Sequence, residues 1–126
     1  MKHITNANGA PQAVGAYSQA VVNNGIVYTA GQIGLDPELG QLVEGGLEAQ
    51  AKRVLDNLQA VLKDAGSSKE KILMTTIFLV ESADFAVVNK IYADFIGDNP
   101  APARQTVTVK ELPLGARVEI SVIASV

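Results

Sequence analysis

Pro102-Ala103-Arg104-Gln105-Thr106-Val107-Thr108-Val109 and Arg117-Val118-Glu119-Ile120-Ser121-Val122-Ile123-Ala124 are the two stretches on which the reading of the fold turns. Both alternate in the manner of β-strands. A short loop, Glu111-Leu112-Pro113-Leu114-Gly115-Ala116, joins them. Read as a hairpin centred near Pro113–Leu114, residue 108 faces residue 119 and residue 106 faces residue 121. Side chains alternate along a strand, so Arg104, Thr106 and Thr108 then share a face with Glu119 and Ser121. A slip of one residue breaks that set. A charge inside an apolar strand is costly unless it is paired or used. Arg104 and Glu119 therefore read either as a structural ion pair or as a small acid-binding, water-activating site. Spacing alone favours the ion pair, because such pairs outnumber catalytic ones.

Working outward, residues 17–22 and 26–30 read as two more strands, and Asn23-Asn24-Gly25 between them is a hairpin signal. Tyr17 opens the first of these as a half-buried strand tyrosine. Gly31 follows the second, either as a plain loop glycine, which sequence alone favours, or as a point where a ligand approaches backbone groups. Residues 46–65 carry Leu47, Ala51, Val54, Leu55, Leu58, Leu62 and Ala65 at helical spacing, with Gly66 as the stop. Residues 72–80 are strand-like and apolar on both faces. Residues 84–96 form a second helix with Phe85, Val88, Tyr92 and Phe95 on one stripe. Asn89, one turn after Phe85, reads as a cap, a surface amide or a site residue.

The order is ββ–α–β–α–ββ, which predicts an α+β fold with a mixed sheet and both helices on one face. Two helices cover only one face of such a sheet. The apolar second face of 72–80 predicts self-association.

Composition narrows the chemistry. The 126 residues suit one domain over 1–126, and 48% are hydrophobic, enough for a core. There is no cysteine, which removes disulfides, thiolate catalysis and cysteine–zinc sites. The one histidine, His3, lies near a terminus expected to be mobile. No cofactor and no metal site are signalled: Asp36, Glu38 and Glu44 lack the spacing of a calcium loop, and there is no phosphate-binding glycine motif. The net charge is −3 and the basic residues are scattered, so nucleic acid is not an expected partner. The longest apolar run, Ile72–Val80, is far short of the roughly 20 residues of a membrane span. The N-terminus shows no apolar signal region. The expected location is cytoplasmic, or organellar if a transit peptide precedes this sequence.

The ordered set of segments resembles the Rid family (reactive intermediate deaminase, also called YjgF, with members described as L-PSP endoribonucleases or translation inhibitors). The resemblance spans nearly the whole chain. It rests on Gly15-Ala16-Tyr17-Ser18-Gln19-Ala20, Tyr28-Thr29-Ala30-Gly31-Gln32-Ile33, Leu55-Asp56-Asn57-Leu58, Phe85 through Tyr92, Pro102-Ala103-Arg104, Leu112-Pro113 and Val118-Glu119-Ile120. It implies a chorismate-mutase-like α+β fold in a homotrimeric barrel with ligand clefts between subunits. It also implies a cofactor-free hydrolysis of 2-imino acids and their enamine tautomers to 2-keto acids and ammonia. Such substrates are released by pyridoxal-phosphate-dependent dehydratases, which gives the functional link.

By the same resemblance, Arg104 holds the substrate carboxylate, Glu119 positions the attacking water, and Tyr17, Gly31 and Asn89 line the cleft. Two positions depart from the common pattern: Ala30, where many deaminating members have Ser, and Thr106, where many have Cys. Thr106 is thereby a candidate substrate-binding and specificity residue. Two other readings compete with the 2-iminobutanoate/2-iminopropanoate deaminase: an endoribonuclease or translation inhibitor, and a non-catalytic module binding small carboxylates.

Overall fold

The computed structural model describes residues 1–126. The strands are β1 (Lys2–Ile4), β2 (Ala20–Asn23), β3 (Ile26–Thr29), β4 (Ile72–Leu79), β5 (Ala103–Thr108) and β6 (Val118–Ser125). The helices are α1 (Gly46–Asp64) and α2 (Phe85–Ile96). All six strands form one sheet in the order β1-β2-β3-β6-β4-β5. Every pairing is antiparallel except β4 with β5.

Local chemistry explains the elements. Asn24 and Gly25 both take positive φ (52° and 76°), which a two-residue hairpin between β2 and β3 requires. The α1 stripe buries Val54, Leu58, Val61 and Leu62 almost completely. Each such side chain contributes about 1.5–3 kcal/mol relative to exposure. At its end the Ser67 N–H donates to the Leu62 carbonyl (2.8 Å) and the Gly66 N–H to the Lys63 carbonyl (3.1 Å), closing the helix as Gly66 foretold.

The core lies between the helices and one face of the sheet. That face presents Val27, Thr75, Ile77, Leu79, Val118, Ile120, Val122 and Ala124. The other face carries Tyr28, Met74, Thr76, Phe78, Val107, Ser121 and Ile123, and no helix covers it. Val107 there is 42% exposed and Tyr28 48% exposed. The two-sided apolar reading of 72–80 is thus seen directly. No helix is long and apolar enough to cross a membrane.

Three expectations are corrected. The last two strands are not a hairpin: β6 lies between β3 and β4, and β5 pairs with the far side of β4. The reason is connection chemistry. β4, α2 and β5 form a crossover unit, which makes β5 parallel to β4. Then β6, the strand that buries every second side chain, takes the interior position beside the long β4. The segment between them is no tight turn. It contains Pro113 and a left-handed Leu114 (φ 58°) and carries the chain past the end of β4, where the Val109 N–H donates to the Leu79 carbonyl (2.7 Å). Second, Tyr17 does not begin a strand, because β2 starts at Ala20. Gln19, fully buried, diverts the preceding chain: its amide accepts from the Ala7 N–H (2.8 Å) and donates to the Pro11 carbonyl. Third, His3 lies in a paired strand, β1, opposite Val21, rather than in an unpaired terminus.

Candidate active site

Arg104 sits near the start of edge strand β5, in register with Thr75 of β4. Thr75 is buried on the helix face, so Arg104 points to that face too. There α2 supports it. Phe85, Asn89 and Tyr92 recur at helical spacing and converge on the guanidinium. Nη1 donates to Asn89 Oδ1 at 2.7 Å. The guanidinium carbon stands 5.3 Å from the Tyr92 ring centre and 5.5 Å from that of Phe85. These are cation–π distances. The Tyr92 hydroxyl in turn shares a 2.8 Å hydrogen bond with Thr75 Oγ1. Burial pushes the Tyr92 phenol above its usual value; the bond to Thr75 and the charge of Arg104 oppose that rise. A cavity of about 230 Å³ opens beside this group, lined by Asn89, Tyr92, Ala93, Ile96 and Arg104 among others.

Glu119 sits elsewhere. It pairs with Phe78 across β6 and β4, on the face the helices do not cover. Arg104 and Glu119 therefore lie on opposite faces of the sheet within one chain, and neither the intrachain ion pair nor the shared face exists. The physical reason is the parity of strand register with β4 interposed: Thr75, the partner of Arg104, and Phe78, the partner of Glu119, differ by an odd number of positions. Glu119 meets Gly31 instead. A Cβ built on Gly31 would lie 2.7 Å from the Glu119 carboxyl carbon and from Oε2. The close approach at Gly31 is made by a side chain of the same chain, whose end can move. Burial alone raises the Glu119 carboxyl above its ordinary 4.5.

The candidates thus divide into two half-sites, Arg104 with Asn89 and Glu119 with Gly31. Thr106 is on the Arg104 side, in register with Ile77. Its hydroxyl is buried with no hydrogen-bond partner. Ala30, the other departure, donates its N–H to the Gln19 carbonyl (2.9 Å). Tyr17 is 51% exposed in the loop before β2 and joins neither half-site by a hydrogen bond or ring contact.

Sequence reasoning placed Phe85 and Tyr92 in the core stripe and missed them as the platform for Arg104. The spacing of Phe85, Asn89 and Tyr92 on one helical face was the available signal. It also missed the ion pair of Arg117 Nη2 with both oxygens of Asp84 (3.0 and 3.1 Å), which ties the start of β6 to the start of α2. The largest cavity, about 580 Å³, lies apart, lined by Asn6, Asn8, Asp36, Glu38 and Arg53 among others. Its Asp36 carboxyl already accepts the Glu38 and Leu39 N–H groups, which hold it below the usual carboxylate range.

Comparison with known proteins places the chain in a family. The Endoribonuclease L-PSP family model matches residues 7–126. A RutC family protein of Synechocystis is 48% identical over 125 residues, covering 98% of this chain and 95% of that one. The 2-iminobutanoate/2-iminopropanoate deaminase of Rattus norvegicus is 44% identical over 124 residues, covering 98% and 90%. The crystal structure of YyfA from Yersinia pestis, a protein of the Rid family, superposes with a TM-score of 0.94 at 49% identity, covering 98% of each chain. This chain belongs to the Rid (YjgF) family, the family of the Endoribonuclease L-PSP model.

Proposed function

We propose that the protein is an imine/enamine deaminase that hydrolyses 2-imino acids such as 2-iminobutanoate and 2-iminopropanoate to 2-keto acids and ammonia. The observation that carries this reading is the pair of complementary half-sites. One offers a guanidinium held by an amide and two rings, with a planar fork suited to a carboxylate. The other offers a carboxylate whose affinity for protons is raised by burial, suited to accept one from water. The similarity to the rat deaminase supports the same reading.

The chemistry needs both at once. The imine carbon is already electrophilic. Water adds to it while Glu119 takes a proton from the water and passes it to the imine nitrogen, which becomes an amine. The resulting carbinolamine collapses as its hydroxyl oxygen forms the carbonyl, the C–N bond breaks, and the proton leaves with ammonia. Fixing the imino acid and the water together removes an orientational cost. A positioned general base adds about 10²–10⁴-fold.

Because one chain keeps its half-sites on opposite faces, the working site is assembled from two copies: Arg104, Asn89 and Thr106 from one, Glu119 and Gly31 from its neighbour, with the exposed Tyr17 lining the assembled cleft. A homotrimer with clefts between subunits does this, and its closed barrel covers the apolar face that includes Met74, Phe78, Val107 and Ile123. The substrates are products of pyridoxal-phosphate-dependent dehydratases acting on serine or threonine. A cytoplasmic location fits that supply.

The test is a coupled assay in which a threonine dehydratase generates the imine and its disappearance is followed. Wild type should accelerate the loss, Arg104→Lys should raise KM by about 10–100-fold through loss of the bidentate fork, and Glu119→Gln should lower kcat. Equal, slow loss with wild type and Arg104→Ala defeats the proposal.

A further inference from the structure

Asn57 is an anomaly in the apolar stripe of α1. It is 0% exposed and flanked by the buried Val54, Leu58 and Val61. A buried amide is tolerated only when its hydrogen bonds are made, and here both N–H groups and the oxygen are used. Nδ2 donates to the carbonyls of Ile33 (3.2 Å) and Leu35 (3.1 Å). Oδ1 accepts from Arg53 Nε at 2.8 Å, which fixes which way the amide faces. Arg53 is itself anchored through Nη2 to the Gly9 carbonyl (3.3 Å).

What the amide holds is the stretch leading from Gly31. Within it Gln32 exchanges backbone hydrogen bonds with Ile120 (2.9 and 3.0 Å), next to Glu119. Gly34 presses on α1 so closely that a Cβ would lie 2.8 Å from the Gln50 Cα. The segment is pinned by β6 on one side and α1 on the other. Its first residue is the glycine that meets the Glu119 carboxyl.

We infer that Asn57 is a positioning residue for Glu119: through the Ile33 and Leu35 carbonyls it sets the wall, Gly31, against which the carboxylate stands. Asn57 touches no reacting atom and acts only through that loop. Without it two carbonyls lose their donor, the loop lifts from α1, and more of the half-buried carboxyl meets bulk water. Within one chain Phe78 of β4 and Gly31 stand against Glu119, burial is the cause of its raised proton affinity, and the nearby Arg117 is turned to Asp84. In the proposed cleft Arg104 of the neighbouring copy faces it and opposes that rise equally in wild type and in variants at Asn57.

The inference rests on the proposed role of Glu119 for its catalytic meaning, but its test includes a readout independent of turnover. Glu119 is titrated by carboxyl-carbon NMR in wild type, Asn57→Ala and Arg53→Met, alongside 2-oxobutanoate binding by calorimetry and imine turnover. The expected result is a Glu119 midpoint moved down toward 4.5 in both variants, with the larger shift in Asn57→Ala. Binding should keep full stoichiometry and stay within about twofold, since Arg104 is untouched, while kcat falls by about 10–100-fold. A folded Asn57→Ala whose Glu119 midpoint and kcat match wild type overturns the inference. If Asn57→Ala does not fold, Arg53→Met decides by the same two readings. A kcat that falls only in step with binding stoichiometry marks a purely structural residue and overturns it as well. Absence of turnover in wild type defeats the proposed function, and the Glu119 titration still decides the role of Asn57.

Discussion

Arg104 and Glu119, the two charged residues of the C-terminal strands, lie on opposite faces of the sheet with β4 between them. One chain therefore keeps the two candidate half-sites apart. If each cleft takes its guanidinium from one subunit and its carboxylate from the next, Arg104→Ala and Glu119→Ala should each be inactive alone yet complement each other. Random reassembly of an equal mixture gives intact clefts at about one interface in four, so about a quarter of wild-type activity should return. Turnover after dissociation and remixing checks this; no recovery in confirmed mixed oligomers rules out the shared cleft.

Gly31→Ala should act on activity far more than on stability. The added methyl would meet the end of the Glu119 side chain at 2.7 Å, and that end can swing away. The carboxylate then moves by about 1 Å, a displacement that costs about 100-fold in rate. Melting should change little. Parallel kcat and thermal denaturation measurements separate the two effects, and a variant with wild-type kcat contradicts this geometry.

Glu119 should leave a signature in pH. Burial raises its proton affinity above the ordinary 4.5, so in the window just above that value the native state holds more proton than the unfolded state. Wild-type stability from this group is present at low pH and is lost as pH rises through the raised value. Glu119→Gln lacks the loss. Its melting temperature relative to wild type should therefore climb as pH increases from below 4.5, then level off. In the same window kcat/KM of wild type should rise as the base ionises. A melting difference that does not change with pH would remove burial as the cause.

Thr106 offers a test with opposed outcomes. Its hydroxyl is buried without a partner, a state that costs about 1–3 kcal/mol. Thr106→Val keeps the shape and removes the hydroxyl. The variant should be more stable by about 1 kcal/mol in urea denaturation. If the hydroxyl turns to the substrate carboxylate beside Arg104, KM should rise about tenfold at the same time. Greater stability with unchanged KM assigns Thr106 to packing alone.

The sequence determined a good deal by itself. Helical spacing from Leu47 to Ala65 placed α1, and Gly66 ended it, because helix stripes and left-handed stops are local chemistry. The stripe starting at Phe85 placed α2, and the two-sided apolarity of 72–80 announced a face that the helices leave bare. Arg104, Glu119, Gly31, Asn89, Tyr17 and Thr106 were all legible as candidates. Partnership was not legible. Whether β6 pairs with β5 or with β4 depends on a crossover connection and on which strand best fills the sheet interior, and both are long-range. Side-chain direction follows from that pairing by parity, so one topological choice moved Glu119 to the face away from Arg104. The contacts made by Asn57, Phe85 and Tyr92 were hidden for the same reason. A buried amide and two stripe aromatics look like core until tertiary structure brings the Ile33 and Leu35 carbonyls, or a guanidinium, within reach.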